Sequence, residues 1–169
     1  MRRPLRSSLA ILVALAGATC LRQGDPSAPP APAEPPAPCA LAEAASDVPH
    51  LAVQVLAIER TGPEVVTVAL LLVNTGGPGD AVALGSTFAS DPRDAGTIAD
   101  MFLWDEAGQR KFYMLRDDAD RPRCSTETGD LAPGERRRVW AMFPAPPAGV
   151  SRLTVCLPHV PPMTGVPIS

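Results

Sequence analysis

The chain has 169 residues, enough for one domain with a leader and a linker, and its 15 basic and 18 acidic side chains give a net charge of −3. This acidic balance excludes the basic face that a nucleic-acid-binding protein needs, and it gives no attraction to an anionic lipid surface. The 21 prolines and 13 glycines oppose long helices and favour a fold with many turns.

Residues 1–19 have the three-part layout of an export signal: a basic start with three arginines, an apolar run at 9–16 and three small residues before Cys20. The run is shorter than the roughly 20 residues that a membrane-spanning helix needs. One interpretation is an ordinary signal peptide cut near Ala18, with an incidental Cys20. The other is that the stretch resembles a bacterial lipoprotein signal, in which this cysteine is acylated and becomes the first mature residue. We favour the second interpretation because a spacer follows the cysteine.

The spacer is rich in proline and alanine. Residues 25–38 contain seven prolines, which remove backbone donors and fix φ, so an extended polyproline II segment is expected. At about 3.1 Å per residue it would reach roughly 43 Å. We therefore predict that residues 20–46 are a lipidated cysteine followed by a disordered stalk.

From residue 47 onward, the pattern changes to short runs that alternate or are rich in β-branched residues, separated by turn residues. Such runs are typical of an antiparallel β-sandwich. We predict one all-β domain over residues 47–169, with a helix considered only around 92–100. The seven predicted strands lie within residues 50–60, 64–77, 80–88, 98–105, 110–118, 131–144 and 149–160.

The side-chain pattern within these runs predicts which faces are covered. In the first run, strict alternation places Val53, Val55 and Ala57 on one face. Apolar residues on both faces of 65–73 predict a central strand that is covered on each side. The polar side chains expected in solvent or at sheet edges are Gln109, Lys111, Arg136 and Arg138.

Three stretches carry a family resemblance: "VALLLVNTG", "RKFYMLRDDADRPRCST" and "LAPGERRRVWAMFPAPPAGVSRLTVCLPHVPPMTGVPI". They contain a strand ending in Asn-x-Gly, an L-x-P-G-E turn and a final apolar strand. In these motifs, residues 50–168 resemble the telokin-like, immunoglobulin-like β-sandwich domain of bacterial exported lipoproteins. The resemblance implies an immunoglobulin-like antiparallel sandwich of about seven strands in an extracytoplasmic setting, and it implies no reaction.

Four cysteines on an exported chain favour disulfide bonds. If Cys20 carries lipid, then Cys39, Cys124 and Cys156 allow one bridge and leave one free thiol. The sequence alone leaves all three pairings open. We favour Cys124–Cys156 because both residues lie inside the predicted sandwich, whereas Cys39–Cys156 would tie the stalk to the last strand.

A metal site is the main alternative function. His159 and Met163 lie four residues apart, and imidazole and thioether ligands suit Cu(I) in an exported copper-handling protein. The intervening prolines and the lack of a paired His-x-Met repeat favour core packing for the methionines instead. The aspartates of residues 116–123 lack the spacing of an EF-hand loop and predict a hairpin turn. We therefore expect neither a bound metal nor a cofactor.

Motifs of the common enzyme classes are missing: the sequence has no G-x-S-x-G, no H-E-x-x-H and no G-x-x-x-x-G-K. We therefore expect a protein that is not an enzyme. The sequence predicts an extracytoplasmic protein, held to the bilayer through acylated Cys20 or else secreted, with an immunoglobulin-like binding or structural module. Its expected partner is another cell-envelope protein or a ligand, of unknown identity, recognised by the sandwich loops or an edge strand. Exported copper binding is the alternative.

Overall fold

The computed structural model describes residues 39–126 and 128–169. Its regular structure is all-β apart from one turn of 3₁₀ helix, Pro92–Asp94. This turn is the only helical structure within residues 92–100, where a helix was considered. The strands are β1 Ala42–Ala45, β2 Leu51–Arg60, β3 Val65–Asn74, β4 Phe102–Asp105, β5 Arg110–Tyr113, β6 Arg136–Pro144, β7 Arg152–Leu157 and β8 Val160–Pro167.

The strands form two antiparallel sheets that enclose one core. The first sheet has the order β1-β2-β3-β6 and the second has the order β5-β4-β7-β8. Buried side chains from both sheets belong to a single hydrophobic cluster, as the inner faces of a β-sandwich require. The predicted all-β sandwich is therefore confirmed at this level. Its largest fully buried side chains include Phe88, Phe143, Ile58, Leu70, Leu84 and Leu103.

The hairpin of β2 and β3 lies at the centre of the first sheet. The prediction of a central strand is confirmed, because β3 pairs with β2 on one side and with β6 on the other. The strict alternation predicted for β2 is wrong at one point, where the pairing shifts between Val55 and Ala57. This β-bulge adds one residue to β2, and the side chains beyond it change faces. Ile58 therefore enters the core in place of Ala57.

Two strands lie where the sequence analysis placed none. β1, with the sequence AEAA, falls in the segment assigned to the stalk, and its pairing with β2 means that ordered structure begins before residue 47. Alanine and glutamate are poor strand formers, which is why the pattern was missed. β8 contains Pro161, Pro162 and Pro167, which argue against a strand. They are tolerated because β8 is the edge of its sheet.

The strand predicted at residues 80–88 is not formed. Only Val82 makes a ladder contact, an isolated bridge to Leu131. Leu84 and Phe88 are nevertheless buried, at 1% exposure each. The apolar pattern of this segment thus reflects side chains buried in the core and not strand pairing. A short apolar run in a sequence does not distinguish these two cases.

The motifs that carry the family resemblance hold loops together. Asn74 is 1% exposed, and its Nδ2 donates to the carbonyl oxygens of Asp80 at 2.7 Å and Leu131 at 3.0 Å. In the L-x-P-G-E turn, the carboxylate of Glu135 accepts from the backbone N–H of Ala132 at 2.9 Å. The Asn74 amide thus satisfies backbone carbonyls that burial removes from water, whereas Glu135 closes an exposed turn.

Candidate functional site

The outer face of the second sheet carries a cluster of aromatic side chains. On β4, buried Leu103 alternates with partly exposed Phe102 and Trp104. Across the β4–β5 hairpin, Phe102 lies opposite Tyr113 and Trp104 lies opposite Lys111. Paired residues share a face of a sheet, so these four side chains project together away from the core. We call Phe102, Trp104, Lys111 and Tyr113 the aromatic face.

Contacts within the aromatic face hold its rings in place. The ammonium of Lys111 lies 4.7 Å from the ring centroid of Phe102, a cation–π distance. The rings of Phe102 and Tyr113 have centroids 6.2 Å apart and planes inclined by 44°, within the range of favourable aromatic pairs. Tyr113 is nevertheless 65% exposed. The face therefore presents a supported aromatic ring to solvent.

A groove of about 250 Å³ adjoins the aromatic face at Trp104. Thr154 of β7 lies opposite Trp104, and its buried hydroxyl donates to the carboxylate of Glu106 at 2.7 Å. The guanidinium of Arg152 donates to the carbonyl of Gly165 at 2.6 Å. The groove is thus lined by the indole of Trp104, the carboxylate of Glu106 and the guanidinium of Arg152. Hydrogen bonds to neighbouring groups hold the two charged side chains in place.

The turn between β4 and β5 fixes the register of the aromatic face. The carboxylate of Asp105 accepts from the backbone N–H of Gly108 at 3.1 Å. A Cβ on Gly108 would lie 2.3 Å from this carboxylate, so any larger residue at this position would displace the Asp105 side chain. Because the turn sets the hairpin register, it also sets which aromatic residues meet across the strands.

The described cysteines are free thiols, which differs from the predicted Cys124–Cys156 bridge. Cys124 is 5% exposed and belongs to the core. Cys156 lies on β7 between the core residues Val155 and Leu157, so its side chain projects to the outer face. A disulfide needs Cβ atoms about 3.8 Å apart. Cys124 forms a β-bridge to Ala141 of the first sheet and is buried in the core, whereas Cys156 projects outward from the second sheet, so the two side chains do not meet this condition. Cys39 is also free.

Cys156 adjoins the aromatic face, where it lies opposite Phe102. Its partial burial raises the pKa of its thiol, and nearby Lys111 offsets this only in part. Burial also raises the pKa of the Cys124 thiol. Since the thiolate is the nucleophile and the metal ligand, both side chains behave as small apolar groups at neutral pH.

The structure places the alternative copper ligands in different surroundings. Met163 is 4% exposed and packs in the core, opposite Val155 in the sheet. His159 lies in the turn between β7 and β8, with Nδ1 3.0 Å from the carboxylate of Asp47. In residues 39–126 and 128–169, no group of three or more His, Cys, Asp and Glu side chains is arranged to hold a metal ion.

The aspartate-rich segment forms the predicted turn, in which Arg116 pairs with Pro122. The carboxylate of Asp117 accepts from the backbone N–H groups of Ala119 and Arg121 and from the guanidinium of Arg121. These contacts, led by the Arg121 side chain, lower the pKa of Asp117 to about 2. This carboxylate is therefore engaged within its own turn.

The predicted signal peptide, the lipidated Cys20 and the proline-rich part of the stalk lie outside the described residues. In the part of the chain that the structure describes, no helix has the length and apolar character needed to cross a bilayer.

Comparisons with known proteins give no assignment. The chain matches no protein-family model, no curated protein and no solved structure. The functional inference therefore rests on the residues and their geometry.

The sequence analysis did not identify the aromatic face, although its signal is present. Strand β4 reads FLWD and strand β5 reads RKFY, and alternation places Phe102 and Trp104 on the side opposite Leu103. Which residues of the two strands meet depends on the turn, and the turn was predicted without a register. Pairing Phe102 with Tyr113 requires that register.

Proposed function

We propose that the protein is an extracytoplasmic lipoprotein, anchored in a membrane through acylated Cys20, whose immunoglobulin-like sandwich binds another cell-envelope protein. The layout of residues 1–46 supports the anchor: an export-type signal, a cysteine and a proline-rich spacer follow one another. The short interval between the spacer and β1, which begins at Ala42, supports the idea that the linker ends at the folded body.

The strand order supports an immunoglobulin-like topology. In such sandwiches strand B pairs with strand E in one sheet, while strands C, F and G are neighbours in the other. In this chain β3 pairs with β6 in the first sheet, and β4, β7 and β8 are neighbours in the second. On this comparison, β3, β4, β6, β7 and β8 correspond in that order to strands B, C, E, F and G, and the chain passes between the sheets at the same points.

One observation carries the binding role: Tyr113 is 65% exposed on a face shared with Phe102 and Trp104. Tyrosine, tryptophan and arginine dominate the binding energy of protein interfaces, where a few anchor residues carry most of it. Because the Phe102 ring already supports the Tyr113 ring, ordering the Tyr113 side chain on binding costs little conformational entropy. Arg152, in the adjoining groove, supplies a charged group for orientation.

Metabolic labelling with a clickable fatty acid tests the anchor. The wild-type chain should take up the label and remain with the membrane fraction. Cys20→Ala should abolish labelling and release the protein. Cys39→Ala is the matched control, because it removes a nearby exposed cysteine, and it should keep the label. Labelling that persists in Cys20→Ala would contradict the anchor.

Affinity capture from a cell-envelope extract tests the binding role. The wild-type chain should retain specific proteins, and truncation of Trp104 and Tyr113 to alanine should reduce their recovery at least tenfold, because interface anchors contribute about 2 kcal/mol or more each. Trp140→Ala is the matched control, since Trp140 is a partly exposed aromatic residue on the other sheet.

Recovery of the same proteins by the double alanine variant would contradict the proposed role of the aromatic face. Thermal unfolding of each variant separates lost binding from lost folding. Phe102 remains in the double variant, so the hairpin keeps part of its packing.

A further inference from the structure

The outer face of the first sheet carries mainly apolar side chains on its central strand β3 and more exposed, larger side chains at its two edges. Ala69 and Leu71 of β3 alternate with core residues and project outward. On β6, Trp140 lies opposite Ala69 and Arg138 lies opposite Leu71. Toward the other edge, the row of Leu71 ends at Glu43 of β1. We call the outward set of Leu41, Glu43, Ala69, Leu71, Arg138 and Trp140 the flat face.

Opposite charges occupy opposite edges of the flat face. Register places Glu43, Gln54, Leu71 and Arg138 in one row across β1, β2, β3 and β6. Glu43 and Arg138 are both exposed. The amide of Gln54 donates to the carboxylate of Glu43 at 3.1 Å. The row therefore ends in an acid at the β1 edge and in a base at the β6 edge.

The neighbouring row has apolar side chains at the same edges. Trp140 of β6 lies opposite Ala69 and is 40% exposed. Leu41, whose N–H donates to the carbonyl of Val55 at 2.7 Å, extends β1 at the other edge and is 45% exposed. In the described part of the chain, the exposed large apolar side chains are these two and Tyr113 of the aromatic face. Ala57 and Ala69 pair with each other between these edges and complete an apolar row across the sheet, and contiguous apolar surface of this kind marks interaction sites.

Both rows are self-complementary under a two-fold rotation about an axis parallel to the strands. This rotation exchanges the β1 and β6 edges and preserves height along the strands. Arg138 of one copy then meets Glu43 of the other, and Trp140 meets Leu41. A two-fold axis in the same plane but across the strands would bring like charges together. We propose that the flat face binds a second copy of this chain, forming an isologous face-to-face dimer.

The same rotation leaves the direction of every strand unchanged. The chain therefore enters β1 from the same end in both copies. If the anchor of the proposed function is present, both copies can reach one membrane, and anchoring would raise their effective concentration. The dimer itself does not depend on the anchor.

The contact is small, so the dimer is weak. Four strands spaced about 4.8 Å apart and about 20 Å high cover roughly 400 Å² per copy. This is about half of the roughly 800 Å² that each partner contributes to a standard interface. Association should therefore depend on protein concentration in the micromolar range and above.

Analytical ultracentrifugation of the full chain in a mild detergent tests the proposal. The wild type should change from monomer to dimer as its concentration rises. Arg138→Glu and Glu43→Arg each place like charges in both symmetry-related contacts and should weaken association at least tenfold. Arg110→Glu is the matched control because Arg110 is an exposed arginine on β5 of the other sheet, and it should associate like the wild type.

Mixing the two disrupted variants is the decisive step. Arg138→Glu and Glu43→Arg should each be monomeric alone, yet a mixture should form heterodimers, because both contacts are then between opposite charges. The double variant should regain self-association, and Trp140→Ala should lose it without any change in charge. Circular dichroism confirms folding of each variant. A wild type that stays monomeric to its solubility limit, or a mixture that does not associate, overturns the proposal.

The Cys20→Ala chain provides a separate comparison. It should dimerise like the wild type in detergent, so that failure of the anchor and failure of the dimer give different results. Self-association lost in Cys20→Ala would overturn the flat face as the cause of dimerisation.

Discussion

The two outer faces of the sandwich differ in what their strands display. The aromatic face has rings that touch one another, with Tyr113 open to solvent beside a groove. The flat face has the apolar residues Ala69 and Leu71 at its centre and opposite charges at its edges, as with Glu43 and Arg138. Since both sheets bury their inner faces in one core, the outward positions are released from packing constraints. This difference is the reason that we propose different partners for them: another protein for the aromatic face and a second copy for the flat face.

The comparison requires that inward and outward residues differ sharply in their contribution to stability. Leu70→Ala in the first sheet and Leu103→Ala in the second should each lower the free energy of unfolding by about 2–5 kcal/mol, because each leaves a cavity at a fully buried position. Arg138→Ala and Lys111→Ala, on the outward side of each sheet, should change it by about 0.5 kcal/mol or less. Urea denaturation measures all four, and an outward change as costly as an inward one would contradict the assignment of faces.

Much of this fold could be predicted from the sequence, because alternation reports which side of a strand is covered. The strands β2, β3 and β6 have long runs of branched and apolar residues, and each was predicted within a few residues of its limits. β1 and β8 were missed because alanine and proline give no strand signal, and their pairing is imposed by neighbouring strands. Residues 80–88 were overpredicted because burial and strand pairing produce the same apolar pattern.

The candidate site was harder to predict, because it depends on register rather than composition. The aromatic face requires that Phe102 meet Tyr113 across a turn. The predicted cysteine pairing differs from the structure for another reason: Cys156 lies between the core residues Val155 and Leu157, so alternation along its own strand directs it outward. Proximity within one predicted domain was too coarse a criterion for a covalent bond between two side chains.

Thiol reactivity sharpens the comparison between the core and the aromatic face. Cys39 is exposed, Cys156 is partly buried on the outer face, and Cys124 is buried in the core. Labelling with N-ethylmaleimide followed by peptide mass spectrometry should give that order, with Cys124 at least a hundredfold slower than Cys39. Its thiol is protonated and reaches reagent only through local opening. Labelling in urea should equalise the rates, whereas a Cys124–Cys156 disulfide in the native digest would contradict the structure.

Fluorescence quenching of variants with a single tryptophan measures the solvent exposure of the two faces separately. Trp140→Phe leaves only Trp104, beside the groove, and Trp104→Phe leaves only Trp140, on the flat face. At low protein concentration, acrylamide should quench Trp140 up to about twofold more efficiently, because Trp140 is the more exposed indole. Raising the concentration should protect Trp140 and leave Trp104 unchanged. Equal protection of both residues would mean that self-association does not distinguish the faces.

The smallest expected effect lies in loops outside both faces. The side chain of Arg93 lowers the pKa of Asp91 to about 2, and that of Arg121 lowers the pKa of Asp117 to about 2. These values lie below the roughly 3.9 of an unfolded aspartate. Each pair therefore stabilises the fold above that pH, and the contribution disappears as the pH falls toward about 2. Both carboxylates belong to solvent-screened pairs, so the effect should also shrink in high salt.

Urea denaturation from pH 6 to pH 2 measures this contribution. Asp117→Asn should unfold at a slightly lower urea concentration than the wild type at pH 6, and the two midpoints should converge near pH 2. Asp118→Asn, the adjacent residue, is the matched control and should run parallel to the wild type at every pH. Because neither face contains these pairs, the alanine effects of Leu70 and Leu103 should persist at acidic pH wherever the protein remains folded. A constant difference between wild type and Asp117→Asn across the whole range would show that the Asp117–Arg121 contact is not what the pH change removes.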